Sequence, residues 1–92
     1  MIIRILGEGQ YDVEGSIITE LNAIDNRIVD HVSAGLENEF KMELTGLISL
    51  VKGNGKPLDP GRIVSSDLIL PPADLTLDEA RKVFKGEGLI KD

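Results

Sequence analysis

The chain has no cysteine and no tryptophan, and its only aromatic residues are two phenylalanines and one tyrosine. Without thiols there is no disulfide framework, no thiolate metal site and no cysteine nucleophile. With so few rings, the core must be aliphatic. Histidine is nearly absent too, since His31 is the only one. No stretch approaches the ~20 apolar residues of a membrane span. The opening Met1-Ile-Ile-Arg has no apolar region of the kind a signal peptide requires. Basic charge is also short, with ten Lys and Arg against sixteen Asp and Glu, for a net charge of −6. That balance disfavours a phosphate-backbone footprint, which needs clustered cations. It equally disfavours direct attachment to an anionic membrane. The expectation is one small cytoplasmic domain, burying about 60–65% of its unfolded surface and so modestly stable.

What the chain does have is periodicity. From Ser16 to Val51, apolar residues recur every three or four positions: Ile17, Leu21, Ile24, Ile28 and Val32, then Leu36, Phe40, Leu44, Leu47, Ile48 and Val51. This period predicts two amphipathic helices, each with one apolar stripe. Their polar faces take Glu20, Asn22, Asp25, Arg27, Asp30, Glu37, Lys41 and Glu43. Ser16 is placed to cap the first helix, and Gly35 suits the left-handed position after its end. A single long helix through Gly35 is the alternative. The hairpin is preferred because it turns both stripes toward one core.

Around this hairpin, Ile2 to Leu6 reads as a strand interrupted by Arg4, and Gly7-Glu8-Gly9 as the turn into a returning strand, Gln10 to Val13. The stretch Gly53-Asn54-Gly55-Lys56-Pro57 is expected to end the second helix and to open a loop that continues through Asp59-Pro60-Gly61. The chain then becomes extended through Ile63 and Val64 to a strand at Leu68-Ile69-Leu70, which Pro71-Pro72 ends. Thr76 with Glu79 has capping-box spacing and predicts a short final helix that stops at Gly86. Gly88-Leu89-Ile90 forms an apolar tip able to dock on the core.

Few constellations suggest chemistry. Gly7-Glu8-Gly9 lacks the third glycine and following helix of a dinucleotide fingerprint. Gly53-Asn54-Gly55-Lys56 is followed by Pro57, not the Ser or Thr of a P-loop. His31, Asp30 and Ser33 are helix neighbours that point apart; Ser65 or Ser66 would have to approach His31 to make a hydrolytic pair. Glu39 with Glu43, or Asp25 with Asp30, could be imagined as metal ligands, but a solvated helix face explains them more simply. Glu8, Asp67, Asp74 and Glu87 sit beside Gly or Pro turns, and Asp67 and Asp74 suit turn capping at the Pro-Pro corner. No catalytic residue, metal or cofactor is assigned.

The ends of the chain carry more than period and charge. Met1-Ile-Ile-Arg-Ile-Leu-Gly-Glu-Gly-Gln-Tyr-Asp-Val resembles the opening of the phage-shock-protein-A-associated family, PspAA. Val64-Ser-Ser-Asp-Leu-Ile-Leu-Pro-Pro-Ala-Asp-Leu-Thr-Leu-Asp-Glu-Ala-Arg and Phe84-Lys-Gly-Glu-Gly-Leu-Ile resemble its second half and ending, and Leu21 to Asp25 is similar to a segment of its hairpin. Leu36 departs from the acidic cap expected there. The resemblance implies a noncatalytic partner of PspA, the coiled-coil membrane-remodelling protein of the prokaryotic envelope-stress response, which it binds and whose assembly or response it tunes. Membrane contact would then be indirect, through recruitment by the partner, with no nucleic acid involved and self-association left open. The motif residues Glu8, Gln10, Tyr11, Asp67, Pro71 and Asp74 are the candidate partner-contact surface, expected to be exposed near turns. The rival for Gly7, Gly9, Pro71 and Pro72 is that they fix the fold. A hydrolase using His31 and a nucleic-acid-binding regulator are the alternatives in function. The fold expected is α+β: a helical hairpin and a short C-terminal helix packed on a small, mostly antiparallel sheet.

Overall fold

A computed structural model describes residues 1–62 and 64–84. Ile63, Glu87, the helix stop at Gly86 and the apolar tip Gly88-Leu89-Ile90 lie outside the described residues. The order is β1 (Ile2–Ile5), β2 (Gly9–Asp12), a 3-10 turn (Gly15–Ile17), α1 (Ile18–Ser33), α2 (Glu37–Asn54), β3 (Lys56–Pro57), β4 (Leu68–Leu70) and α3 (Leu77–Val83). The α+β architecture is as expected. The sheet runs β3-β2-β1-β4, antiparallel between β1 and β2 and between β2 and β3, but parallel between β1 and β4.

The β1–β2 connection is a tight turn in which the Glu8 amide donates to the Ile5 carbonyl at 2.9 Å. Gly7, third of its four residues, has φ +85°, the conformation a type II turn needs at that position and only glycine adopts freely. Alternation along β1 buries Ile3 and Ile5 completely and turns Arg4 outward.

The helical hairpin forms, and Gly35 is the reason it is not one helix. Gly35 has φ +72°, its amide donates to the Val32 carbonyl at 3.1 Å, and the Leu36 amide donates to the His31 carbonyl at 2.9 Å. Those two bonds are the Schellman closure of a helix C-terminus. Leu36 is thus both the residue that closes α1 and the one that precedes α2, which explains a hydrophobe where an acidic cap was expected. Ser16 does not cap α1: it lies within the 3-10 turn, and the cap position has no side-chain bond. Asp25 also differs from expectation. The inner row of α1 is Leu21, Asp25, Ile28 and Val32, spaced four, three and four, and Asp25 is fully buried in it. Helical angle, not polarity, decides its face.

A single apolar cluster joins the layers: Ile3 and Ile5 of the sheet, Leu21, Ile28 and Val32 of α1, Phe40, Leu44, Leu47 and Val51 of α2, and Ala80 and Phe84 at the end of the chain described. Phe84 meets Phe40 edge to face, with ring centroids 6.2 Å apart. Arg27 and Glu43 bridge the two long helices at 3.0 Å, a surface pair of the kind that contributes under about 1 kcal/mol.

The second helix ends at Asn54, within the stretch expected to stop it, and after Gly55 the chain passes straight into β3, a strand where a loop is expected. Pro57 is tolerated because β3 is an edge strand and needs no outward donor. Gly55 permits the junction. A Cβ there would stand 2.8 Å from Val13 Cγ1 and 2.8 Å from the Val51 carbonyl oxygen, closer than packed atoms approach. Gly55→Ala is therefore expected to cost about 1–3 kcal/mol, the usual penalty for overpacking. The measurement is a urea midpoint at unchanged slope; an unshifted midpoint would mean that the junction relaxes freely.

The capping box of α3 is formed in full. The Glu79 amide donates to Thr76 Oγ1 at 3.2 Å, and the Thr76 amide donates to Glu79 Oε1 at 3.1 Å. The Thr76 amide and, at 3.0 Å, the Thr76 hydroxyl both donate to that carboxylate, and they hold the Glu79 carboxyl below its ordinary 4.5. A depressed carboxyl stabilises the fold above its unfolded value, and that contribution fades as pH falls through the folded value. Wild type should therefore melt above Glu79→Gln at neutral pH, with the gap closing in acid below about pH 4.5. A gap that persists unchanged into strong acid would contradict this origin.

Candidate functional site

The two motif stretches, remote in sequence, are one structural unit. Gln10 stands opposite Arg4 in the β1–β2 register, on the sheet face turned away from the helices. It is nevertheless only 7% exposed, because Leu58, Val64 and Ser66 lie against it. Its Nε2 donates to the Val64 carbonyl at 2.9 Å and to Ser66 Oγ at 2.8 Å, while its own carbonyl accepts the Leu58 amide at 2.9 Å. One residue later, Asp67 clasps β1: its carboxylate accepts the Ile2 amide at 2.7 Å and its amide donates to the Ile2 carbonyl at 2.7 Å. These bonds align the parallel strand β4 against β1.

The sequence candidates accordingly fall into two sets. Gln10 and Pro71 are buried where exposed positions are expected, and Gln10 spends its side chain on Val64 and Ser66. Tyr11 is partly buried against the core, in register with Ile3 on one side and Pro57 on the other. Glu8, Asp67 and Asp74 are exposed. Asp67 caps the start of β4, whereas the turn after the two prolines is closed by the Leu75 amide donating to the Pro72 carbonyl at 3.1 Å. Glu8 is ion-paired with Lys52 of α2, and this partner raises the lysine pKa above 10.5. Ser66, considered above as a partner for His31, instead receives the Gln10 amide. His31 lies partly buried near the end of α1.

Beside Gln10 the outer face of the sheet opens into a cleft of about 560 Å³ between the β1–β2 turn and the loop after β3. Arg4 and Arg62 line it, together with Gly7, Glu8, Leu58 and Asp59. Neither arginine is among the sequence candidates. Arg4 carried a signal, as the one charge within an apolar strand; Arg62 carried none, since only the folded loop brings it there. Further along the same face, Leu6 and Ile69 are 45% and 51% exposed.

Replacing Gln10 by Ala should leave the Val64 carbonyl and Ser66 hydroxyl without this donor, at about 1–3 kcal/mol for groups stranded on burial. Amide hydrogen exchange at Leu58, Val64 and Ser66 should accelerate more than exchange in α1 and α2. Equal acceleration everywhere would mean that Gln10 supports the whole fold and does not act as a local latch.

Compared with models of protein families, the chain matches one over residues 1–92, the family described as PspA-associated protein. No curated protein and no solved structure matches it.

Proposed function

The chain belongs to the PspA-associated protein family, and from that premise we propose that it is a noncatalytic partner of PspA, which it binds and whose assembly or response to membrane stress it tunes. The observation that carries this reading is the extent of the match, residues 1–92, which attaches the association to the domain as a unit. The surface supports it. Leu6 and Ile69 present apolar area on the outer sheet face, and the carboxylates of Glu8, Asp67 and Asp74 are exposed around the sheet and its turns. β4 ends the strand order, so one of its edges has no strand partner among the described residues. Apolar contact or strand-edge pairing would supply affinity for a coiled-coil partner, and the acidic rim would supply specificity. No helix among the described residues is long and apolar enough to cross a membrane. In this reading the protein works in the cytoplasm and reaches the inner membrane face only through PspA.

Calorimetric titration of the purified protein with purified PspA, with and without anionic liposomes, is the direct measurement. The expected result is saturable binding, weakened about tenfold, or about 1.4 kcal/mol, in a Leu6→Ser, Ile69→Ser double variant. No heat of binding in either condition would overturn the reading.

A further inference from the structure

We propose that the cleft between the β1–β2 turn and the loop after β3 is a carboxylate site, in which Arg4 and Arg62 grip an acidic residue of a partner protein. The proposal deepens the reading above and rests on it only for the partner's identity.

Acids outnumber bases in this chain, so its arginines have carboxylates within easy reach. Arg27 pairs with Glu43, and Arg81 with Asp78. Arg4 and Arg62 form no ion pair among the described residues, and these two line the same cleft. Both are exposed. The carboxylates beside them are engaged elsewhere. Glu8 is taken by Lys52. Asp59 accepts the Gly61 amide at 2.9 Å through Oδ1 and the Arg62 amide at 2.9 Å through its carbonyl, which fixes the loop that presents Arg62. Two planar guanidinium groups are thus left with their donors unspent, and the geometry they recognise best is a planar carboxylate or a phosphate.

The lining decides between those two. Glu8 and Asp59 bring the formal charge of the cleft close to neutral, so a dianion or a nucleic-acid backbone meets repulsion that a single carboxylate largely avoids. Pro57, Leu58 and Pro60 form an apolar wall suited to residues flanking that carboxylate. At Gly7 and Gly9 the space a Cβ would occupy is open, so a peptide backbone can approach the turn closely.

The test uses the full chain, followed by amide NMR shifts at Gly7, Gly9 and Arg62. The probe is an N-acetylated, C-amidated Leu-Glu-Leu peptide; the controls are the Leu-Gln-Leu peptide and inorganic phosphate, all at matched ionic strength. Saturable shifts are expected with the glutamate peptide. Affinity should fall about tenfold for the glutamine peptide and for the Arg4→Gln, Arg62→Gln double variant, whose fold is checked by its melt. Equal binding of the two peptides, unchanged affinity in the variant, or saturation by phosphate alone would overturn the proposal. Titration of the same variant with PspA separates the two readings. Wild-type binding retained in the variant removes the cleft from the contact and leaves the partner intact. Absence of wild-type binding removes PspA, while the peptide titration still decides the cleft.

Discussion

The parallel pairing of β1 with β4 is the constraint on which the rest of the structure depends. Two antiparallel strands can be joined by a two-residue turn, as β1 and β2 nearly are, but parallel neighbours need a crossover. Here the crossover contains both long helices and β3. The pairing itself is short, matching only Ile3, Arg4 and Ile5 with Leu68, Ile69 and Leu70. So few ladder bonds need reinforcement at both ends. Asp67 supplies it at one end through its two bonds to Ile2, and Leu6 at the other, its amide donating to the Leu70 carbonyl at 3.0 Å. If that alignment slipped by one residue, Leu70 would leave the core and Ile69 would enter it, because strand side chains alternate between faces.

The same pairing makes the two faces of the sheet unequal. The inner face is covered by the helices, with Ile3, Ile5 and Leu70 fully buried. The outer face has no second layer among the described residues. Its cover is Leu58, Val64 and Ser66, fastened by Gln10, and that cover is partial. Where it lies, a polar side chain at 7% exposure has both its amide bonds made within the chain. Where it stops, Leu6 and Ile69 stay open beside Arg4. A small domain that can bury only about 60–65% of its surface gains stability from burying that remainder against another molecule.

The helices were legible in the sequence because their signals are local. The apolar period of Ile17 to Val51, the glycine at 35 and the Thr76–Glu79 box each specify geometry within a few residues, and each is found where it was read. What was not legible depends on approach between distant segments. The parallel partner of β1 lies more than sixty residues away from it (Ile3 against Leu68), and β3 contains a proline that argues against a strand until its edge position is known. Asp25 was assigned to a polar face by its charge although its spacing from Leu21 and Ile28 points inward. Gln10 reads as exposed because it is polar and near a turn; nothing local reveals that Leu58, Val64 and Ser66 will cover it.

Burial now separates two reasons for a motif to exist. Gln10 and, in part, Tyr11 are explained by what they hold together inside the chain, and Pro71 is buried. Glu8 and Asp67 are half explained, since each makes an internal bond yet keeps its carboxylate at the surface. Arg4 is the reverse case. It sits in a central strand of the sheet, facing away from the core, and no side-chain hydrogen bond or ion pair among the described residues accounts for it. An aliphatic or threonine side chain would serve that outward strand position at least as well for stability. A long cation there, beside a second arginine that has no ion pair among the described residues, has its simplest physical account in a bond to another molecule.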